Sequence, residues 1–148
     1  MARNNKIIAL NRKPDLYIKY AGKKGRGVFC ATDIRKGEIL EVTPALILDS
    51  KETDFVDKTA LLNYTFSVDK ISKAALKQAG IKSNKGTSAV VMGMTSFCNH
   101  GTPEEQNADV SWQEDSGTVY YVLTAIKKIP RNTEICTSYG EGWFEERQ

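Results

Sequence analysis

The sequence predicts a mainly β fold with several short strands and few, short helices. Runs rich in β-branched and aromatic residues recur along the chain, separated by turns that contain glycine, proline or asparagine. One segment, DKISKAALKQAG at 69–80, has the composition of a surface helix that ends at a glycine. The chain has 148 residues, 41% of them hydrophobic, which is enough for one packed domain.

The first third of the chain predicts two pairs of short strands. Residues 15–20 (DLYIKY) alternate like a half-buried strand, AGKKGRG is a turn, and VFCAT returns to extended backbone, so this region predicts a hairpin. DIRKGE is a second turn. The segment ILEVTPALIL at 39–48 is rich in β-formers, with Pro44 expected at an edge or a bend.

The remaining elements are shorter or less regular. Residues 52–66 predict a loop or a short helix that ends near Tyr64, and AVVMGMTSF at 89–97 is apolar enough for a buried element. The strongest strand candidate is SGTVYYVLTAIKKI at 116–129. After it, IPRNTEICTSYG predicts a turn and a last short strand.

Composition narrows the classes of function. The net charge is +3, but basic and acidic residues are interleaved over most of the chain, so nucleic-acid binding is not expected. Apolar runs such as AVVMGM are far shorter than the roughly 20 residues that span a bilayer, and the N-terminus lacks a signal-peptide core. We therefore expect a soluble, intracellular protein without membrane contact. The three cysteines, Cys30, Cys98 and Cys136, are far apart, which indicates neither a disulfide framework nor a structural zinc site.

Two polar features, taken singly, have ordinary structural explanations. The glycines of AGKKGRGVF suit a hairpin turn, and because a strand rather than a helix follows, a phosphate-binding loop is not indicated. The alternative is that a ligand lies against the turn, with Lys24 and Arg26 available for an anionic group. His100, the only histidine, has no GxSxG motif or recognisable cysteine context around it, so a hydrolase is not favoured.

Three motifs in chain order change this interpretation. KGRGVF with a following KGE, SFCNH with NADVSW, and EICTSYGEGWF together resemble the SET domain family of protein-lysine methyltransferases. The resemblance implies several small β-sheets, with the Asn-His segment and the terminal tyrosine segment interlocked as a C-terminal pseudoknot. It also implies an N-terminal extension at 1–14 and a SET domain at 15–148, with a variable insertion within 70–86 that shapes the substrate groove.

The resemblance implies a role for each matched residue. Tyr139 corresponds to the tyrosine of the catalytic site. The residues that correspond to the binding site of the cofactor, S-adenosylmethionine, are Lys24, Gly25, Arg26, Gly27, Tyr64, Asn99, His100, Trp143 and Phe144. Asn107 aligns less closely with the family's second asparagine, because Gln106 stands where the family has proline.

The implied function is methyl transfer from S-adenosylmethionine to the ε-amine of a lysine in a protein or peptide substrate, with histone tails among the candidates. A metal site is not expected, because Gly101 and Thr102 follow the Asn-His pair and no cysteine follows Cys136. The alternative, from another class, is a catalytically silent SET fold that binds a protein or peptide.

Overall fold

The structure is a computed structural model, and it describes residues 8–68, 72–115 and 117–138. Within these residues the strands are β1 (Asn11–Arg12), β2 (Leu16–Tyr20), β3 (Arg26–Cys30), β4 (Ile39–Leu48), β5 (Thr65–Ser67), β6 (Ser88–Val91), β7 (Asn99–His100), β8 (Ala108–Asp115), β9 (Thr118–Ala125) and β10 (Glu134–Thr137). The α-helices are α1 (Ser50–Val56) and α2 (Lys73–Gln78), and 3-10 helices span Gly22–Lys24, Ala60–Tyr64 and Met94–Phe97. The fold is mainly β, as the sequence predicts.

The chain divides into two compact units. The first consists of Met1–Arg12, Glu41–Ser96 and Ser111–Val122, and the second of Lys13–Leu40, Phe97–Val110 and Leu123–Gln148. Most residues of one sheet, with the strand order β5-β6-β4-β9-β8 and β1 paired to β4, belong to the first unit. The second unit contains a four-stranded sheet with the order β2-β3-β10-β7.

In the first unit the core lies against the central strands of the larger sheet. Buried apolar side chains of this unit include Leu48, Leu76, Ala89, Val91, Val119 and Tyr121. Ser72 is the N-cap of α2, and its hydroxyl accepts from Ala75 N; the helix ends before Gly80, which has φ of 73°. Pro44 lies between the residues of β4 that pair with β1 and those that pair with β6. It therefore stands where β4 exchanges one partner strand for another.

A buried carboxylate organises one loop of the first unit. Glu41 is only 1% exposed and accepts hydrogen bonds from Arg12 Nε, Met94 N, and both the N and the Oγ1 of Thr95. Its oxygens lie so close to Gly93 that an added Cβ there would stand 2.6 Å from Oε1. These bonds satisfy a charge that would otherwise be costly to bury.

In the second unit the predicted hairpin is formed by β2 and β3, which pair antiparallel from Leu16 opposite Cys30 to Tyr20 opposite Arg26. The residues of β2 are partly or fully exposed to solvent, whereas β3 is buried from Gly27 onward. β10 pairs antiparallel with β3 on one side and parallel with β7 on the other. The core of this unit includes Val28, Cys30, Ile34, Leu123, Ile129 and Ile135.

The sequence predictions for β2, β3, β4, β9, β10 and α2 are confirmed at the level of element type. β7 and β8 were not predicted. In the parts of the chain that the structure describes, no helix is both long and apolar enough to cross a membrane.

Candidate functional site

The glycine-rich turn connects the two strands of the hairpin. Gly22 and Gly25 have φ of 68° and 75°, values that favour glycine, and Gly25 N donates to Gly22 O over 3.0 Å. A Cβ added at Gly25 would meet nothing within 4 Å. The glycines therefore have the conformational role that the sequence predicts, and Gly25 also leaves an open, side-chain-free face on the turn.

The Asn-His pair forms β7, directly beside the last described strand. Asn99 lies opposite Cys136 and His100 opposite Thr137 in the parallel pairing with β10. The pairing continues past β7, because Gly101 N donates to Thr137 O over 2.8 Å. The Asn-His segment and the segment that leads to the terminal tyrosine are thus held together, as the family resemblance implies.

Asn99 joins three segments of the second unit. Its Nδ2 donates to the backbone O of Arg26 over 2.9 Å and to Glu134 Oε2 over 2.7 Å. Because Arg26 follows the turn and Glu134 begins β10, one amide ties the glycine-rich turn to both β7 and β10. These bonds use both hydrogens of the amide, so within the described residues its Oδ1 is the group left to accept from a ligand.

Gly27 is required by this packing rather than by backbone conformation. An added Cβ would lie 2.3 Å from Glu134 Oε2 and 3.1 Å from Asn99 Nδ2. A side chain at this position would displace the carboxylate that receives the Asn99 amide. The two glycines of the GRG sequence therefore serve different purposes, one for an open turn and one for close approach.

Lys24 brings a positive charge to the same place. Its Nζ lies 3.1 Å from Glu105 Oε2 and 3.9 Å from Cys136 Sγ, and its side chain is 32% exposed. Burial lowers the pKa of Lys24, but the hydrogen bond to Glu105 and other nearby groups outweigh this effect, so its pKa is raised above its usual value. The ammonium is charged at neutral pH and stands beside β10.

His100 is half-buried next to this charge. Burial lowers the pKa of His100 below its usual 6.5, and the Lys24 ammonium lowers it further by a smaller amount. Glu105 acts in the opposite direction. The imidazole is therefore neutral at pH 7, and it can act as a hydrogen-bond donor at one nitrogen and an acceptor at the other.

A cysteine nucleophile is not supported at this site. Cys30, Cys98 and Cys136 are all buried, and none of them is in a disulfide. Burial, with a smaller contribution from Glu134, raises the pKa of the Cys136 thiol to about 11. A thiol with such a pKa is protonated at neutral pH and is a poor nucleophile.

Asn107 fixes β10 on its other side. Its Oδ1 accepts from Cys136 N and its Nδ2 donates to Glu134 O, each over 2.8 Å, and its own backbone N donates to Cys136 O. The side chain is buried, and both its oxygen and its nitrogen form hydrogen bonds to β10. This asparagine therefore holds the strand on which the site is built, although Gln106 precedes it where the family has proline.

The structure brings together Lys24, Gly25, Arg26, Gly27, Asn99 and His100 in the second unit. Arg26 also places its guanidinium 5.5 Å from the centre of the Phe97 ring. Tyr64 lies at the end of a 3-10 helix in the first unit. Tyr139, Trp143 and Phe144 lie outside the described residues, so their predicted roles stay predictions.

Sequence reasoning missed two acidic residues of the site, Glu105 and Glu134. A signal for Glu105 was present, since Thr102 and Glu105 have the T-x-x-E spacing of a capping box. Glu105 N donates to Thr102 Oγ1 over 3.3 Å, and Thr102 N donates to Glu105 Oε1 over 3.1 Å. Glu134 is the first residue of the EICTSYGEGWF motif, but the motif does not indicate that its carboxylate accepts from Asn99, a contact that depends on long-range strand pairing.

Comparison with known proteins places this arrangement in a family. The SET domain family model matches residues 25–140. The chain is 28% identical over 141 residues to a histone-lysine N-methyltransferase of Schizosaccharomyces pombe that is specific for H3 lysine 37, and the match covers 94% of this chain and 82% of that protein.

Solved structures agree on the fold. Neurospora DIM-5, a SET domain histone lysine methyltransferase, is similar with a TM-score of 0.61 and 25% identity, over 85% of this chain and 52% of that one. A Plasmodium falciparum protein described as a candidate histone methyltransferase is similar with a TM-score of 0.59 and 21% identity, over 89% of this chain and 98% of that one. Because the family model matches well over half of the chain, including Gly25 to Gly27 of the turn and the Asn-His strand, the chain belongs to the SET domain family.

Proposed function

We propose that this chain transfers methyl groups from S-adenosylmethionine to the ε-amine of a lysine in a protein, and that the protein is a histone. The observation that carries the proposal is the junction made by Asn99. Its amide ties the glycine-rich turn to β10, the strand that leads directly to Tyr139. The family membership and the names of the relatives support both the reaction and the substrate class.

The groups at this junction fit the chemistry of the cofactor. S-adenosylmethionine, when bound, supplies a methyl group activated by a cationic sulfonium, and it carries a carboxylate and an ammonium at its other end. The Lys24 ammonium suits the carboxylate, and the Asn99 Oδ1 suits a donor such as the ammonium. The open face of Gly25 leaves room for a ligand against the backbone.

The substrate lysine must be neutral to accept a methyl group. With a free pKa of about 10.4, deprotonation near pH 8 costs roughly 3 kcal/mol. Apolar walls and a nearby positive charge both lower the pKa of an amine and reduce this cost. Tyr139 has the role of orienting the amine by its hydroxyl, without acting as a strong base, and the chain needs no metal for this reaction.

The silent SET fold explains fewer of these features. A module that only binds peptides has no need of a charged lysine, an open glycine face and a spare amide oxygen at one junction. A histone substrate also implies an intracellular protein. For these reasons we favour the enzyme.

The test is methyl transfer to histones. The purified protein is incubated with cofactor carrying an isotopically labelled methyl group and with histone octamers, and the products are mapped by tandem mass spectrometry. We expect label on a lysine of histone H3, and the sequence around H3 lysine 37 is the first to examine because the Schizosaccharomyces pombe relative acts there. The matched variant Tyr139→Phe keeps the ring and should lose most of the turnover while binding cofactor nearly as well.

Two outcomes would contradict the proposal. Cofactor binding without label on any histone would exclude histones as the substrate. The absence of both cofactor binding and transfer would return the chain to the silent, peptide-binding alternative.

A further inference from the structure

The positive charge of the candidate site, the Lys24 ammonium, is already engaged in an ion pair with Glu105. Lys24 Nζ and Glu105 Oε2 are 3.1 Å apart, and the two side chains are 32% and 48% exposed. Lys24 also contributes to lowering the pKa of His100, which shows that the ammonium stands close to the Asn-His strand. Glu105 thus presents a carboxylate to the cation that would receive a carboxylate of a ligand.

Glu105 is held in place by its own loop. Its Oε1 accepts from Thr102 N, and its backbone N donates to Thr102 O over 2.9 Å. A Cβ added at Gly101 would lie 2.9 Å from the Glu105 Cβ and 2.8 Å from the Cys136 Cβ, so the loop packs closely against β10. Lys127 Nζ donates to Glu104 O over 3.0 Å and fixes the outer side of the loop. A carboxylate oriented in advance loses little conformational entropy when it pairs with Lys24.

We infer that Glu105 competes internally for Lys24 with the amino-acid carboxylate of the cofactor, and that it sets the affinity for the cofactor. The inference rests on the proposed function, because it requires S-adenosylmethionine to bind at this turn. Glu105 and the cofactor offer the same chemical group to the same ammonium. When the ligand binds, Lys24 must leave Glu105, or the two carboxylates must share it and repel each other.

The expected effect is moderate because both partners are partly exposed. Exposed ion pairs are weak, so removing the Glu105 charge should tighten binding of a carboxylate-bearing ligand by about two- to five-fold. The effect should shrink at high salt, which screens charges at the surface. A ligand without the carboxylate should show no such change.

The test compares two ligands by isothermal titration calorimetry. S-adenosylhomocysteine carries the amino-acid carboxylate, and 5′-methylthioadenosine lacks the whole amino-acid end. Glu105→Gln removes the charge and keeps an oxygen for Thr102 N, whereas Glu104→Gln makes the same change of net charge on the adjacent residue, whose side chain is exposed. Thermal melting of both variants checks that the loop remains folded.

We expect Glu105→Gln to bind S-adenosylhomocysteine about two- to five-fold more tightly than the wild type does. Glu104→Gln should bind it with the wild-type affinity. Neither variant should change the affinity for 5′-methylthioadenosine. With Lys24→Met as background, Glu105→Gln should have no effect. Equal affinities for S-adenosylhomocysteine in wild type and Glu105→Gln would overturn the inference alone. Weaker binding by Glu105→Gln would also overturn it, by making Glu105 a ligand of the cofactor's ammonium. A wild type that binds neither compound would overturn the proposed function together with the inference.

Discussion

At Gly27 the packing leaves no room for a side chain. In Gly27→Ala the new Cβ would stand 2.3 Å from Glu134 Oε2 and push this carboxylate away from the Asn99 amide. We expect the free energy of unfolding in urea to fall by about 1 to 3 kcal/mol, as for other overpacked sites, and cofactor binding to weaken.

The control for this substitution is Gly37→Ala, in a turn where a Cβ meets nothing within 4 Å but φ is 86°. It should cost about 1 to 2 kcal/mol through backbone strain and leave cofactor affinity unchanged. Wild-type stability and affinity in Gly27→Ala would show that the Asn99 junction is not as the structure has it.

His100 should make the protein less stable as the pH falls. Its folded pKa lies below the usual 6.5, first because of burial and then because of Lys24. The unfolded chain therefore binds more protons just below pH 6.5, and the free energy of unfolding rises with pH through this window. In His100→Gln this part of the dependence should disappear.

Urea unfolding at about pH 5.5 and about pH 7.5 gives the free energy of unfolding at each pH. We expect this free energy to fall more on acidification in the wild type than in His100→Gln. The carboxylates with lowered pKa, Asp33, Glu38 and Glu105, are present in both proteins and cancel in the comparison. An identical pH dependence in the two proteins would place His100 in contact with solvent.

At the scale of elements, β10 depends on the buried side chain of Asn107. In Asn107→Asp the shape is kept, but the atom that replaces Nδ2 has no hydrogen to donate and faces the carbonyl of Glu134. We expect the free energy of unfolding to fall by about 2 kcal/mol, the cost of leaving buried polar groups unpaired.

Asn132→Asp is the matched control, because the exposed Asn132 uses its Oδ1 to accept from the Tyr17 hydroxyl and aspartate retains that oxygen. Chemical denaturation of the two variants should separate them clearly. If both lose the same small amount of stability, Asn107 does not hold the strand.

The elements that the sequence predicted share a local signal. The hairpin of β2 and β3, the β-rich β4 and β9, and α2 with its stop at Gly80 are all specified by residues close in the chain. β8 also has a local signal, because apolar and polar residues alternate from Ala108 to Gln113, but the sequence prediction did not use it. β7 has only two residues, and it exists as a strand because β10 pairs with it from a distant part of the sequence.

At the scale of the whole molecule, we expect folding and cofactor binding to be independent of metal. Among the residues that the structure describes, no group of three or more cysteine, histidine or acidic side chains could hold a metal ion. Chelation with excess EDTA should leave both the melting temperature and the affinity for S-adenosylhomocysteine unchanged. Stoichiometric zinc in the purified protein, with activity lost on chelation and restored by zinc, would contradict this expectation.

The candidate site was predicted in part. Short motifs identified the glycine-rich turn and the Asn-His pair, and the structure joins them through Asn99. Motifs could not identify Glu134 as the partner of that amide, because this contact requires β10 to lie between β3 and β7. Similarly, the T-x-x-E spacing of Thr102 and Glu105 is typical of a capped turn, but it does not indicate that the Glu105 carboxylate reaches Lys24.

We propose that the turn at 24–27 and the pair at 99–100 form one cofactor site. The measurement that tests it most directly is an amide NMR titration of the metal-free protein with S-adenosylhomocysteine. We predict that the largest chemical-shift changes include the amides of Gly25, Gly27, Asn99 and His100, with saturation at a single affinity. A ligand that binds but leaves these amides unshifted, and perturbs other parts of the chain instead, would contradict the account.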